Sequence, residues 1–380
     1  MKKLFIITGE HSGDLHASNA VKALKNIMPD LIIEGIGGKN MQKSGVKIFR
    51  DHSQMGVVGL NVKAIIDHIK LGRDILDYLK NNYKPDLVLL VDYGGFNLKI
   101  AKELKKNKIE TFYFISPQVW ASRKGRENSI RKYISKLMVI FPFEEKFHQN
   151  EGVNAEYVGH PLISQLPQGF SKEEFIKQNK LDPYKKIVGI FPGSRKFELN
   201  YMMPIYKETL KIIYKHSKKV QFCLAQADNI PDELLSKYLK KFSDEGINLT
   251  ILKNQNHALL FCSDVLILTS GTVTLEAALY ETPMAVCYKA SAFLYLAYLL
   301  VRHISKVSLP NIISEKDIVK EFIQHKANPE AIAMEILGLL HDEDKRNKMK
   351  EELKQIKEKF GDKIASEEVA KIIKGYFDED

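Results

Sequence analysis

The sequence predicts an α/β protein built from two doubly wound parallel-sheet domains, and three observations carry that expectation. Short apolar runs rich in β-branched residues alternate with stretches of helical periodicity along most of the chain, which is the rhythm of parallel strands joined by crossover helices. That rhythm breaks between His160-Pro161 and Gly169, where prolines and a glycine interrupt both periods, and then restarts. A chain of 380 residues also exceeds one ordinary core and suits two. The expected domains are residues 1–165, residues 166–350, and a helical segment 351–380 packing back on the first domain.

Taken in order, Lys3 to Thr8 reads as a first buried strand, followed by the turn Gly9-Glu10-His11-Ser12-Gly13-Asp14. Leu15 to Met28 has helical spacing and stops at Pro29, and Leu31-Ile32-Ile33 with Gly35-Ile36-Gly37-Gly38 gives a second strand and its loop. Lys63 to Tyr83 reads as a helix, Asp86 to Val91 as a strand, and Asp92 to Asn97 as its loop. Strands at Thr111 to Ile115 and Leu137 to Phe141 continue the alternation. In the second half the strands are Lys186 to Phe191, Val220 to Ala225, Leu249 to Leu252, Val265 to Leu268 and Ala285 to Tyr288. Lys345 to Lys374 is charged and reads as one helix.

Composition narrows the class. The chain is 44% hydrophobic and 27% charged, as soluble globular proteins are. Its formal charge of +10 favours an anionic partner such as nucleic acid, an acidic membrane surface or a phosphorylated substrate, although much of the excess is lysine spread along helices. Cys223, Cys262 and Cys287 sit among apolar residues without disulfide or zinc spacing, as buried thiols of a reducing compartment do. The N-terminus enters a strand at once without a cleavable signal pattern, and the apolar stretch Ala290 to Val301 falls short of the roughly 20 residues that cross a bilayer. A cytoplasmic location follows as the expectation.

The most informative local unit is Asp264 to Leu279, a strand, a tight turn Thr269-Ser270-Gly271-Thr272, and a helix. Such a turn points backbone N–H groups and a helix dipole at a phosphate, and Glu276, one turn in, suits the two hydroxyls of a ribose. Capping by Ser270 and Thr272 with Glu276 complementing the dipole accounts for the same residues. Geometry alone leaves the two readings level. Two sheets facing across a cleft would line it with Gly9 to Asp14 and Asp92 to Asn97 from one side, and Pro192 to Arg195 and Ser270 to Glu276 from the other. Neither half opens on Gly-x-Gly-x-x-Gly and no Walker Gly-Lys-Ser/Thr is present, so a nicotinamide, flavin or P-loop reading has no support.

Read together, these loops resemble lipid-A-disaccharide synthase, an inverting glycosyltransferase of GT-B architecture. The matching segments are Gly9-Glu10-His11-Ser12-Gly13-Asp14, Gly35-Ile36-Gly37-Gly38 with Met41, Met55-Gly56-Val57-Val58, and Asp92 with Phe96-Asn97. They continue through Ser116-Pro117-Gln118-Val119-Trp120-Ala121 with Arg123, Phe141-Pro142-Phe143-Glu144 and Val158-Gly159-His160-Pro161. Pro192-Gly193-Ser194-Arg195, Ser270 through Glu276, and Ser308-Leu309-Pro310-Asn311 complete the ordered set. The resemblance implies transfer of 2,3-diacylglucosamine from UDP-2,3-diacylglucosamine to 2,3-diacylglucosamine 1-phosphate, giving a β-1′,6-linked disaccharide 1-phosphate and UDP. It implies no cofactor and no metal. It also implies peripheral attachment to the cytoplasmic face of the inner membrane. A homodimer is compatible with this reading.

The resemblance assigns roles residue by residue. Asp92 is the candidate general base for the acceptor 6-hydroxyl, with Glu10 as the alternative base or as an acceptor contact beside Ser12. The family commonly has a second aspartate where this chain has Gly95, and a proline where it has Gly94. Arg195 neutralises charge on the departing UDP, with Gly193 and Ser194 beside it. Ser270, Gly271 and Thr272 form the pyrophosphate turn, Glu276 meets the ribose, and Asn311 the donor sugar. On the acceptor and membrane side stand Trp120, the basic run Arg123, Lys124, Arg126, Arg131 and Lys132, and the apolar Met55, Val57, Val58 and Leu60. Each has a plainer alternative: a capping aspartate at Asp92 or Asp14, a solvated arginine, a turn-forming Asn311, a solvated basic helix face, a core segment at Met55 to Leu60. Phe293, Leu294, Tyr295, Leu296, Leu299 and Leu300 read as a packed core helix, and His160 as a structural hydrogen-bonding residue. Two rivals remain at this stage. One is another GT-B enzyme on a UDP-sugar, an epimerase or muramyl-lipid transferase. The other, a nucleic-acid-binding protein, is disfavoured because the basic residues lack interleaved aromatics.

Overall fold

The computed structural model describes residues 1–52, 62–121, 124–292, 295, 296, 299 and 305–379. Met55, Val57, Val58, Leu60, Arg123, Phe293, Leu294 and Leu300 lie outside the described residues, and so does the side chain of Lys124. The chain divides into two compact units, Met1–Ser164 with Phe360–Asp380, and Gln165–Lys359.

The first unit is a seven-stranded parallel sheet. Its strands are β1 (Lys3–Ile7), β2 (Ile32–Gly37), β3 (Lys47–Asp51), β4 (Leu87–Val91), β5 (Thr111–Phe114), β6 (Lys136–Val139) and β7 (Ala155–Tyr157), in the order β3-β2-β1-β4-β5-β6-β7. All five residues of β4 are buried, as an apolar run covered on both faces should be. The order reverses between β1 and β4, so the loops after these two strands leave the same end of the sheet side by side. The Gly35-Ile36-Gly37 stretch, read above as a loop, belongs to β2. A Cβ on Gly35 would lie 2.2 Å from the Ile6 carbonyl oxygen of β1, so only glycine allows that pairing.

The C-terminus completes this unit. The charged stretch read as one helix is two, Glu343–Phe360 and Ala365–Glu379, separated at Gly361, whose φ of 61° ends the first in the left-handed cap favoured by glycine. The Tyr157 hydroxyl donates to the Phe360 carbonyl (2.8 Å) and Lys363 Nζ to the Tyr157 carbonyl (2.8 Å). Val369, Ile373 and Phe377 then pack with Ala17, Ala20, Val21 and Leu24 of the helix His11–Ile27. Burying each of the three larger side chains stabilises the unit by roughly 1.5–3 kcal/mol.

The second unit is a six-stranded parallel sheet of β8 (Lys186–Phe191), β9 (Val220–Gln226), β10 (Leu249–Lys253), β11 (Val265–Thr269), β12 (Met284–Tyr288) and β13 (Lys320–Ile323), in the order β10-β9-β8-β11-β12-β13. Here the reversal falls between β8 and β11, placing the Pro192–Arg195 and Ser270–Thr272 loops together at their ends. Among the described residues no helix is long and apolar enough to cross a membrane.

Candidate active site

In the first unit the apolar run of β4 ends in Asp92 and Tyr93, both left-handed at φ 52° and 57°. That conformation costs an ordinary residue roughly 1–2 kcal/mol, and surrounding bonds hold it in place. Asp92 N–H donates to Phe114 O (3.1 Å), while the Asp92 carbonyl accepts from Asn97 Nδ2 (2.6 Å) and the Tyr113 hydroxyl (2.7 Å). The half-buried carboxylate accepts from its neighbour Tyr93 N–H at Oδ1 (2.7 Å) and, at longer range, from Ser12 Oγ at Oδ2 (3.4 Å). Gly9 makes room for the Tyr93 ring, since a Cβ there would lie 2.1 Å from a ring carbon. Glu10 and Ser12 are exposed at the start of the helix His11–Ile27. Burial raises the Tyr93 hydroxyl's pKa and the Glu10 charge raises it further, which puts Glu10 on the Tyr93 side of the loop. Burial and then the Asp92 charge raise that of Tyr113, while Arg126 opposes them, so Asp92 and Arg126 both act on the Tyr113 hydroxyl.

Two residues have other duties than expected. Asp14, 1% exposed, does not cap its own helix; its Oδ1 accepts from Gly38 N–H (2.6 Å) and Met41 N–H (3.1 Å), and its Oδ2 from Asn40 N–H (3.0 Å). It therefore caps the short helix Lys39–Lys43. Trp120, 7% exposed, is a core residue rather than an acceptor-side surface. Its Nε1 donates to Glu144 Oε1 (2.7 Å), and its ring meets Phe141 and Phe143 edge-on. Glu144 is buried, which raises its pKa, and it also accepts from the Ile140 and Phe141 N–H groups.

In the second unit Gly193 sits at φ 105°, and a Cβ there would lie 2.5 Å from Glu198 Oε2, so both its backbone and its neighbour require glycine. Glu198 Oε2 accepts from Ser194 N–H (2.9 Å) and Arg195 N–H (3.1 Å), capping the helix Lys196–His216. The Arg195 side chain is 68% exposed, with one ion pair of 3.3 Å to Glu198, and lines an open cavity of about 660 Å³ with Ser194, Asn229, Ile230, Leu234 and Lys237. After β11, Ser270 is tied by its N–H to Cys287 O (3.0 Å) and by its hydroxyl to Val307 O (3.3 Å). Gly271 and Thr272 are exposed, and their N–H groups have no hydrogen-bond partner among the described residues. Thr272 starts the helix Val273–Leu279 without a side-chain cap.

Glu276 is half-buried within that helix, and its carboxylate has no hydrogen bond among the described residues; burial raises its pKa and the His257 charge opposes this. His257 and Asn256 line a cavity of about 610 Å³ with Phe170, Phe175 and Cys262, and His257 Nδ1 and Asn256 Oδ1 are buried without partners among the described residues. Sequence reasoning missed this pair, because only the fold brings residues 256 and 257 beside residue 276. Asn311 is a correction. It is 1% exposed, its Nδ2 donates to Val319 O (2.8 Å) and Glu321 Oε1 (2.9 Å), and its Oδ1 accepts from Val319 N–H (2.9 Å). The side chain is consumed in holding the Ser308–Asn311 motif to Glu321 and is not presented to a donor sugar. No group of three His, Cys, Asp or Glu among the described residues is spaced to hold a metal ion.

A profile of the family described as Lipid-A-disaccharide synthetase matches residues 4–373. The chain belongs to that family. It is a glycosyltransferase that forms the lipid A disaccharide. The lipid-A-disaccharide synthase of Syntrophus aciditrophicus is 36% identical over 377 residues, covering 97% of this chain and 96% of that protein. That of Coxiella burnetii is 36% identical over 379 residues, covering 98% of both. Among solved structures, the UDP-GlcNAc 2-epimerase of Neisseria meningitidis bound to UDP-GlcNAc superposes with a TM-score of 0.64 at 13% identity, covering 100% of both chains. The S. aureus MnaA-UDP co-structure gives 0.66 at 15% identity, covering 100% of this chain and 97% of that one. These likenesses show the GT-B fold alone, and family membership decides against the epimerase alternative.

Proposed function

We propose that the chain transfers 2,3-diacylglucosamine from UDP-2,3-diacylglucosamine to the 6-hydroxyl of 2,3-diacylglucosamine 1-phosphate, with Asp92 as general base and the Ser270–Thr272 turn as the diphosphate seat. The full-length family match carries the substrates. The roles rest on geometry within each unit. Asp92 offers an anionic carboxylate at a strand end whose backbone is fixed from several sides. The acceptor oxygen attacks the donor anomeric carbon, its proton passes to Asp92, and the bond to UDP breaks with inversion. General-base assistance of this kind contributes about 10²–10⁴-fold.

Charge builds on UDP as the bond breaks. The unpaired N–H groups at Gly271 and Thr272 suit the diphosphate, and the exposed Arg195 guanidinium, anchored at its own backbone by Glu198, reaches outward to the same charge. Glu276 accepts the ribose hydroxyls. Arg195→Ala should lower kcat/KM by about 10²–10³-fold with a raised donor KM; unchanged kinetics would remove Arg195 from the site. The two acyl substrates and the net charge of +10 support peripheral binding at the acidic cytoplasmic face of the inner membrane.

Incubation with both lipid substrates tests the whole reading. UDP release in step with a β-1′,6-linked disaccharide 1-phosphate is expected, and UDP release without disaccharide, or neither product, contradicts it.

A further inference from the structure

Beside Asp92 stands a histidine that none of these roles employs. His16 lies three residues after Gly13 on the same face of the helix His11–Ile27. Gly13 marks where that face meets the base, because a Cβ on it would lie 3.7 Å from the Asp92 Cβ and 3.5 Å from the Val91 carbonyl oxygen. Among the described residues the buried His16 Nδ1 has no hydrogen-bond partner and none bonds Nε2, which leaves Nε2 as the nitrogen open to solvent. A charged ring would bury an N–H at Nδ1 with nothing to accept it, so the imidazole is neutral, its lone pair on Nδ1 and its proton on Nε2.

The groups facing the ring agree. Asp92 approaches from the loop after β4 and His160 from the loop after β7. Burial lowers the His16 pKa, against the opposing Asp92 charge. Burial holds His160 down to about 3, and its Nδ1 accepts from Leu162 N–H (3.2 Å). The base thus has as neighbour a neutral donor rather than a cation, and a cation would have drained its basicity. Gly95, three positions after Asp92, supplies no polar side chain, and a Cβ there would meet no described atom within 4 Å.

We propose that His16 seats the acceptor's reactive hydroxyl, its Nε2–H donating to the oxygen whose proton Asp92 removes. The imidazole keeps its own proton throughout. The new bond forms between the acceptor oxygen and the anomeric carbon, the bond from that carbon to UDP breaks, and the hydroxyl proton ends on Asp92. This rests on the reading of Asp92 as base.

Three variants separate the possibilities, because a glutamine amide nitrogen falls near Nε2 of the histidine it replaces and an asparagine nitrogen near Nδ1. His16→Ala and His16→Asn should raise the acceptor KM about tenfold, the loss of one hydrogen bond, with donor KM unchanged. His16→Gln should stay within about threefold of wild type and keep the shape of the pH–rate profile. Wild-type acceptor KM in His16→Asn, or a loss in His16→Gln as large as in His16→Ala, overturns the proposal. Thermal melting accompanies each variant; if the smaller side chains unfold the protein, His16→Gln alone decides, a tenfold rise in its acceptor KM counting against. Asp92→Asn is measured in parallel. If it turns over normally, the base reading fails and takes this inference with it. If it is inactive while His16→Ala matches wild type, only the role of His16 is lost.

Discussion

At Asp92 a left-handed backbone holds a half-buried carboxylate with one short hydrogen bond, from its own neighbour's N–H. Asp14, in the equally suggestive Gly9–Asp14 motif, spends both oxygens on three N–H groups of another helix. The same contrast separates Glu276 from Asn311, whose polar atoms are consumed by Val319 and Glu321. What decides function is what each side chain still has to give. His160 shows the cost of the opposite choice. It is buried between Phe141 and Phe360, with its pKa lowered to about 3. Because the folded value lies below the ordinary 6.5, the unfolded chain binds the extra proton. Stability is therefore full above about pH 6.5 and should fall by about 1.4 kcal/mol per pH unit as the pH drops from there toward 3. Urea melts should show this slope in the wild type and lose it in His160→Asn, whose overall stability is also lower; an equal slope in both would place the acid sensitivity elsewhere. Residue types in order along the chain were enough to mark Asp92, Arg195 and the Ser270 turn as candidates. They could not separate Asn311 from them, show which helix Asp14 caps, or bring out His16 and His257, because partners distant in sequence define those residues.

At the scale of elements, central strands were legible, and of the four edge strands only β10 was. β4 and β11 are unbroken apolar runs buried throughout. The edge strands β3, β7 and β13 carry Lys47, Arg50, Asp51, Glu156, Lys320 and Glu321, and charge of this kind discourages pairing with another chain while it hides the strand period. The helix Gly94–Lys106 that follows Asp92 offers a sharper case. A Cβ on Gly95 meets nothing within 4 Å, whereas one on Gly94 would lie 2.2 Å from Pro117 Cγ. Gly95→Ala should stabilise the protein by about 0.5–1 kcal/mol through the unfolded chain, and Gly94→Ala should destabilise it. Thermal melts check both, and a destabilised Gly95→Ala would mean that this turn needs freedom there.

At the scale of the whole molecule, the proposed chemistry divides between two sheets, each reversing its strand order where its candidate loops leave. The periodicity of the chain revealed that plan. It did not show that the charged C-terminal stretch is two helices, Glu343–Phe360 and Ala365–Glu379, parted at Gly361. A net charge of +10 and two acylated substrates should make the protein bind vesicles rich in anionic lipid, with binding lost as salt rises. Equal flotation with neutral vesicles would attribute attachment to apolar contacts instead. The central claim is that Asp92 removes the acceptor proton while the second unit holds UDP. Asp92→Asn tests it most directly, with kcat from UDP release and the UDP Kd from calorimetry measured on the same preparation. A fall in kcat of about 10³-fold or more with an unchanged UDP Kd is the expected result, and turnover near the wild-type rate would contradict it.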